Sequence, residues 1–257
     1  MKKIWIGTSW KMNKNTQTAE AWASAVLPSL KHCSSRIQPF VIPPFPYLQM
    51  VSNLFSEQPI RVGVQNICWQ DDGAYTGEVS PLMAKDCGAT IVEIGHSERR
   101  AMFGETDETV NLKVHAALRH GLTPLVCVGD TAQEKQWDVS AETVIRQVKI
   151  ALYDVPVESL TRVVIAYEPV WAIGEHGVPA TKEEAQTIHQ AIRSALAELY
   201  GEDVSQSMLL LYGGSVNLSN AGGLIEQPDI DGVFVGRTAW EADGYSELLS
   251  IAERSCG

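Results

Sequence analysis

The sequence lacks most of the short signatures that tie a chain to a known chemistry. Its five cysteines (Cys33, Cys68, Cys87, Cys127 and Cys256) include no C-x-x-C pair, and an odd, scattered set fits neither a disulfide framework nor a zinc ribbon. Reduced thiols and a cytoplasmic location are therefore expected. The histidines His32, His96, His115, His120, His176 and His189 contain no H-E-x-x-H spacing, so no metal site is expected. Neither G-x-G-x-x-G nor a P-loop occurs, and Gly-Lys is absent as a dipeptide, which removes the fingerprints of nucleotide-binding open sheets. Positive charge is scarce: 20 Lys and Arg stand against 31 Asp and Glu, a formal net charge of −11. A phosphate-rich polymer or an anionic membrane would be repelled on average, so neither is an expected partner. Long hydrophobic runs are missing as well. The apolar run near the start is broken by Gly7, Thr8 and Ser9 and followed by Lys11, and the uncharged residues 37–56 carry Pro39, Pro43, Pro44 and Pro46; neither a signal-peptide core nor a spanning helix has that composition.

What is present is ordinary globular material, 45% apolar with 20 Gly and 12 Pro over 257 residues, enough to bury a sizeable core. Eight short apolar runs read as buried strands, at 4–7, 40–42, 61–64, 90–94, 124–128, 163–167, 208–211 and 232–235. Helical spacing fills the gaps, most clearly at 18–30, 105–119, 141–152, 182–200 and 245–254. Ser80-Pro81 and Thr181-Lys182-Glu183-Glu184 have the chemistry of helix starts. Eight strands alternating with helices, with no linker between them, predict one closed parallel (β/α)8 barrel over residues 1–257.

In such a barrel the chemistry sits where strands end. Strand one runs into Ser9, Lys11 and Asn13; strand three into Gln65-Asn66; strand four into His96-Ser97-Glu98-Arg99-Arg100; strand six into Glu168-Pro169; strand seven into Gly213-Gly214-Ser215; strand eight into Gly236-Arg237. Glycine turns opening two adjacent helices would aim backbone N–H groups at one point, an anion site suited to phosphate, although Gly213-Gly214 also fits a plain tight turn. Glu168 stands where a buried strand ends, a desolvated place for a carboxylate base, although a capping or ion-paired glutamate would fit the same position. His96 alone fits a structural histidine equally well, and Cys127 fits a small buried hydrophobe. Residues 169–180, with Pro169 at one end, Gly174 and Gly177 near the other and apolar Val170, Trp171 and Ile173, read as a lid, or as an ordinary loop with Trp171 in a local cluster.

At these residues the sequence resembles the triosephosphate isomerase family along essentially its whole length. The resemblance is carried by Ser-Trp-Lys-Met-Asn at 9–13, Gln-Asn at 65–66 with Gly-Ala-Tyr-Thr-Gly-Glu at 73–78, Gly-His-Ser-Glu-Arg-Arg at 95–100, Ala-Tyr-Glu-Pro-Val-Trp-Ala-Ile-Gly at 166–174 and Tyr-Gly-Gly-Ser-Val at 212–216. It implies a single TIM barrel acting without a cofactor on a small phosphorylated sugar. By the same resemblance Glu168 would be the base, His96 the electrophile and Lys11 the positive charge beside phosphate and enediolate, oriented by Glu98. Gly174, Ser215 and Gly236 would bind phosphate through backbone N–H groups, with Gly214 bordering the turn. Residues 65–80 are similar to the family's dimer loop, in which Thr76 would approach the neighbour's Lys11, so a homodimer is implied.

Three positions depart from the family's usual pattern. Asn usually precedes the Trp-Lys pair where this chain has Ser9; two glycines usually follow strand eight where it has Gly236-Arg237; and the lid ends Glu175-His176-Gly177-Val178-Pro179. Ser9 would leave room near the sugar, and Arg237 would add a planar donor beside the phosphate. Together they suit a longer sugar phosphate and resemble the branch of the family that isomerises L-erythrulose 1-phosphate to D-erythrulose 4-phosphate in four-carbon polyol breakdown. Neutral variation in a glycolytic and gluconeogenic triose enzyme is the alternative. Two more distant readings are a barrel glycosidase using Glu98 and Glu168, against which the rim offers few aromatics beyond Trp10 and Trp171, and a sugar-phosphate sensor that catalyses nothing.

Overall fold

A computed structural model describes residues 3–174 and 177–256 of the chain. Eight parallel strands close into a barrel in sequence order: β1 (Ile4–Ser9), β2 (Ile37–Ile42), β3 (Arg61–Val64), β4 (Ile91–Ile94), β5 (Thr123–Val128), β6 (Val164–Tyr167), β7 (Leu209–Tyr212) and β8 (Gly232–Val235). The predicted barrel is the observed fold. Helices lie between the strands, and their starts follow from local chemistry: Asn15, Thr106 and Thr181 each close a capping box on the third helical residue, satisfying amide donors that the first turn leaves unpaired. Ser80 caps the helix Pro81–Asp86 by accepting the Met83 amide.

The two-residue period of a strand divides the core in two. Val92 and Ile94 on β4 pack outward against the helices, whereas Ile91 joins an inner cluster with Trp5, Phe40, Leu125, Leu211 and Phe234. Glu93 shares the inward face with Ile91 by the same alternation. Phe40 crosses the barrel so closely that a methyl on Gly7 would stand 1.9 Å from its ring, which is why β1 carries glycine there. Phe40 also stacks on Phe234 at 5.5 Å, so the barrel is filled below its rim.

β2 begins at Ile37, three residues before the predicted run. Pro39 sits within it beside Ile6 of β1; the ladder forgoes one donor there, and that proline is what hides the strand's start in the sequence. Because every strand is parallel, all eight C-terminal ends share one rim, and the predicted site residues follow those ends. Among the described residues no helix is long and apolar enough to cross a membrane, and all five cysteines are free thiols.

Candidate active site

One cavity of about 490 Å³ opens on that rim, and Ser9, Lys11, His96, Glu98, Glu168, Gly174, Gly214, Ser215, Gly236 and Arg237 all line it. The structure therefore gathers every predicted site residue except Thr76, which lies exposed in the loop after β3. Glu175 and His176, in the expected lid ending, lie outside the described residues.

Lys11 adopts a left-handed backbone, φ 52°, a conformation that costs a non-glycine residue on the order of 1 kcal/mol. Gln65 holds it there by donating to the Lys11 carbonyl at 2.9 Å, and Glu98 receives the Lys11 ammonium at 2.6 Å. With Lys11 at 22% and Glu98 at 41% side-chain exposure, the ion pair contributes about 1 kcal/mol or less. Its value is orientation: it points the ammonium across the cavity. The same pairing removes Glu98 as the free acid a glycosidase would need.

His96 closes the start of the helix Ser97–Met102, its Nδ1 accepting the Glu98 amide at 3.1 Å. An amide N–H can only donate, so Nδ1 carries a lone pair and the proton of the neutral ring sits on Nε2. That Nε2 faces Glu168, with Oε2 of the carboxylate 3.6 Å away.

Glu168 is 3% exposed, and its Oε2 has no hydrogen-bond partner. A buried carboxylate oxygen left unpaired is costly unless a ligand or water completes it. The strand end that carries it is fixed by two contacts: the Glu168 amide donates to Val128 at 2.7 Å, and Gly213 donates to Tyr167 at 2.8 Å. Gly213 must lack a side chain, because a methyl there would stand 2.7 Å from Cγ of Glu168.

The opposite end of the cavity is built from glycine-rich backbone. Gly214, Ser215 and Gly236 present main chain at the ends of β7 and β8, and Gly174 (φ 95°) approaches from the loop after β6. The guanidinium of Arg237 donates to the Gly174 carbonyl, tying the loop after β6 to the turn after β8. The root of that loop is anchored on Asp130, fully buried, which accepts from Tyr167 at 2.8 Å, Trp171 at 3.0 Å and Ser140 at 2.7 Å.

The sequence profile of triosephosphate isomerase matches residues 4–252. The chain belongs to the triosephosphate isomerase family. It is thus an isomerase of a small sugar phosphate. Similar family members include the L-erythrulose-1-phosphate isomerases of Rhizobium etli, 48% identical over 96% of this chain and 91% of that protein, of Mesorhizobium japonicum, 47% over 96% of each, and of Mycolicibacterium smegmatis, 48% over 97% and 93%.

Three functional features of this triosephosphate isomerase relative escaped the sequence reading. Asp130 was visible only as a polar residue just after strand five. Trp240 donates to the Ser9 carbonyl at 2.9 Å, a contact 231 residues apart in the chain. Glu93, 3% exposed, accepts from the Ser9 hydroxyl at 2.8 Å; burial, reinforced by the charge of Glu168 and opposed by His96 and Ser9, pushes its carboxyl up to about 7. A lone acid inside a four-residue apolar strand was the available signal. Among the described residues, Glu93, His96 and Glu168 form the one cluster of three His, Cys, Asp or Glu side chains whose polar atoms lie within 4.8 Å of one another.

Proposed function

We propose that the chain interconverts L-erythrulose 1-phosphate and D-erythrulose 4-phosphate without a cofactor, using the family's proton shift. Glu168 removes the proton from the carbon next to the carbonyl and returns it to the former carbonyl carbon, moving the carbonyl one position along the chain. On this four-carbon substrate the shift exchanges one ketose for another. His96, donating from Nε2, and Lys11, steered by Glu98, take the charge that develops on the enediolate oxygens. The backbone N–H groups of Gly174, Ser215 and Gly236 receive the phosphate, with Gly214 bordering it. The observation that carries the mechanism is the buried, unpartnered Oε2 of Glu168 facing a nitrogen that can only donate.

Two features support the four-carbon substrate. The similar proteins above are named for L-erythrulose 1-phosphate, and the two positions that depart from the family's usual pattern, Ser9 and Arg237, both line the cavity. Ser9 has spent its hydroxyl proton on Glu93, so it offers lone pairs to a sugar hydroxyl where an asparagine would offer an amide N–H. Arg237 acts through the lid, holding Gly174 at the phosphate end.

The whole chain, 1–257, works as one barrel, and two copies pair as a homodimer in the cytoplasm. The pairing is supported by large apolar side chains exposed after β1, β3 and β4: Met12, Tyr75, Met83, Met102 and Phe103. Nucleic acid and membranes are not partners, in keeping with the net charge of −11. Incubation with L-erythrulose 1-phosphate in deuterated water tests the chemistry. Deuterium incorporation that disappears in Glu168→Gln is expected; tight binding with no exchange would make the protein a sensor.

A further inference from the structure

Behind the cavity wall, hydrogen-bonded to the lining residue Ser9, lies an ionisable group for which the proton shift has no use. Glu93 is the single charged residue of β4. One nitrogen of His96 and one carboxylate oxygen from each of Glu93 and Glu168 lie within 4.8 Å of one another, and all three residues are buried. The charged or titratable groups around Glu93 are Lys11 after β1, His96 after β4, the Cys127 thiol on β5 and Glu168 after β6, with the Ser9 hydroxyl bonded to it directly. The Cys127 thiol is itself pushed well up by burial and by both carboxylates, so it stays neutral.

A second carboxyl group this close to a carboxylate, in so dry a place, ionises only at a cost, so Glu93 tends to keep its proton. The working base must be the ionised one, since only a carboxylate accepts the proton from substrate carbon. We propose that Glu93 is a positioning residue that keeps its proton while Glu168 works, and that loss of this proton shuts the site down. In the working state Glu93 is the neutral acid and Glu168 the anion. The substrate's proton passes to Glu168 and back to the neighbouring carbon, and Glu93 neither gains nor loses one during the cycle. Deprotonated Glu93 puts a second negative charge beside a cavity that must receive a phosphate and then an enediolate, and it repels both. Burial and Glu168 bring that ionisation to about 7, inside the working range.

The inference rests on the proton-transfer roles of Glu168 and His96, whichever sugar phosphate is the substrate. Its test is the pH profile of kcat/KM for wild type and Glu93→Gln, measured on both dihydroxyacetone phosphate and L-erythrulose 1-phosphate. Alongside it runs the pH profile of Glu168 alkylation by an α-haloketone phosphate, which needs no turnover. Glu93→Ile is the second variant if the glutamine one does not fold, judged by thermal melting. The wild type should lose about tenfold in both rates from pH 6.5 to 8.5, while the variant stays within about twofold over the same interval. An unchanged alkaline limb in the variant, an even loss at every pH, or a wild type with no limb overturns the proposal. Failure of both sugars to turn over would sink the functional reading alone, because the alkylation profile still decides on Glu93.

Discussion

A methyl group on Gly213 would stand 2.7 Å from Cγ of Glu168, closer than unbonded carbons approach, so Gly213→Ala moves the base rather than the barrel. Displacement of a reacting group by even a fraction of an ångström is costly to rate: kcat should fall about 10²-fold while the melting temperature changes little, and steady-state kinetics with a thermal melt separates the two. Glu93 gives the opposite pattern, an effect on stability that depends on pH. Its carboxyl moves from the ordinary 4.5 to about 7 on folding, so between those values the folded state binds more protons and stability falls as pH rises. The full penalty above pH 7 is on the order of 3 kcal/mol. Glu93→Gln should therefore raise the melting temperature by several degrees more at pH 8 than at pH 5; equal shifts at both would contradict the buried-acid assignment. Residues at strand ends, such as Glu168, His96 and Lys11, were legible because they interrupt apolar runs. Glu93 was not, since one acid inside a short strand reads as part of the strand until a partner 84 residues away, Ser9, is seen bonded to it.

Among the elements, the loop after β6, which we propose closes over the site, depends most on a single buried group. Asp130 collects hydrogen bonds from Tyr167 on β6, Trp171 in the lid root and Ser140 at the start of the helix Ser140–Ala151, and Lys135 sits 3.4 Å over the Trp171 ring. Asp130→Asn keeps the volume but sets an amide donor against three donors, leaving at least one unpaired at a cost of about 1–3 kcal/mol. The expected result is a melting temperature lower by several degrees and kcat/KM down about tenfold as the lid root loosens; an unchanged kcat/KM would detach the lid from this anchor. The regular elements were readable where sequence signals agreed. The helix Lys182–Tyr200 matches its predicted limits because Thr181 and Glu184 cap it, and β3 and β8 match because their apolar runs stop at Gln65 and at the Gly236-Arg237 turn. β2 was truncated in the reading by Pro39. The short helix Ser97–Met102 was missed because its start is set by the His96 ring and has no Ser, Thr, Asp or Asn cap.

At the scale of the whole molecule, the exposed Met12, Met102 and Phe103, with relative exposures of 96%, 65% and 68%, are the apolar surface that a second copy would cover. Sedimentation equilibrium should return twice the 28.1 kDa chain mass, and Phe103→Glu should shift the protein toward monomer with a concentration-dependent loss of activity; a monomeric wild type would contradict the pairing. The barrel itself was legible because eight strand–helix alternations leave few other topologies. The tie between Arg237 and the Gly174 carbonyl was not, since nothing local to a glycine-arginine turn shows that its side chain reaches back 63 residues. The central claim, a four-carbon sugar phosphate handled by triosephosphate isomerase chemistry, is tested most directly by kcat/KM for L-erythrulose 1-phosphate and dihydroxyacetone phosphate on one preparation, with Glu168→Gln as the control for contaminating isomerase. A preference of about tenfold or more for the tetrulose phosphate, lost in the control, is expected; a preference for the triose phosphate would contradict it.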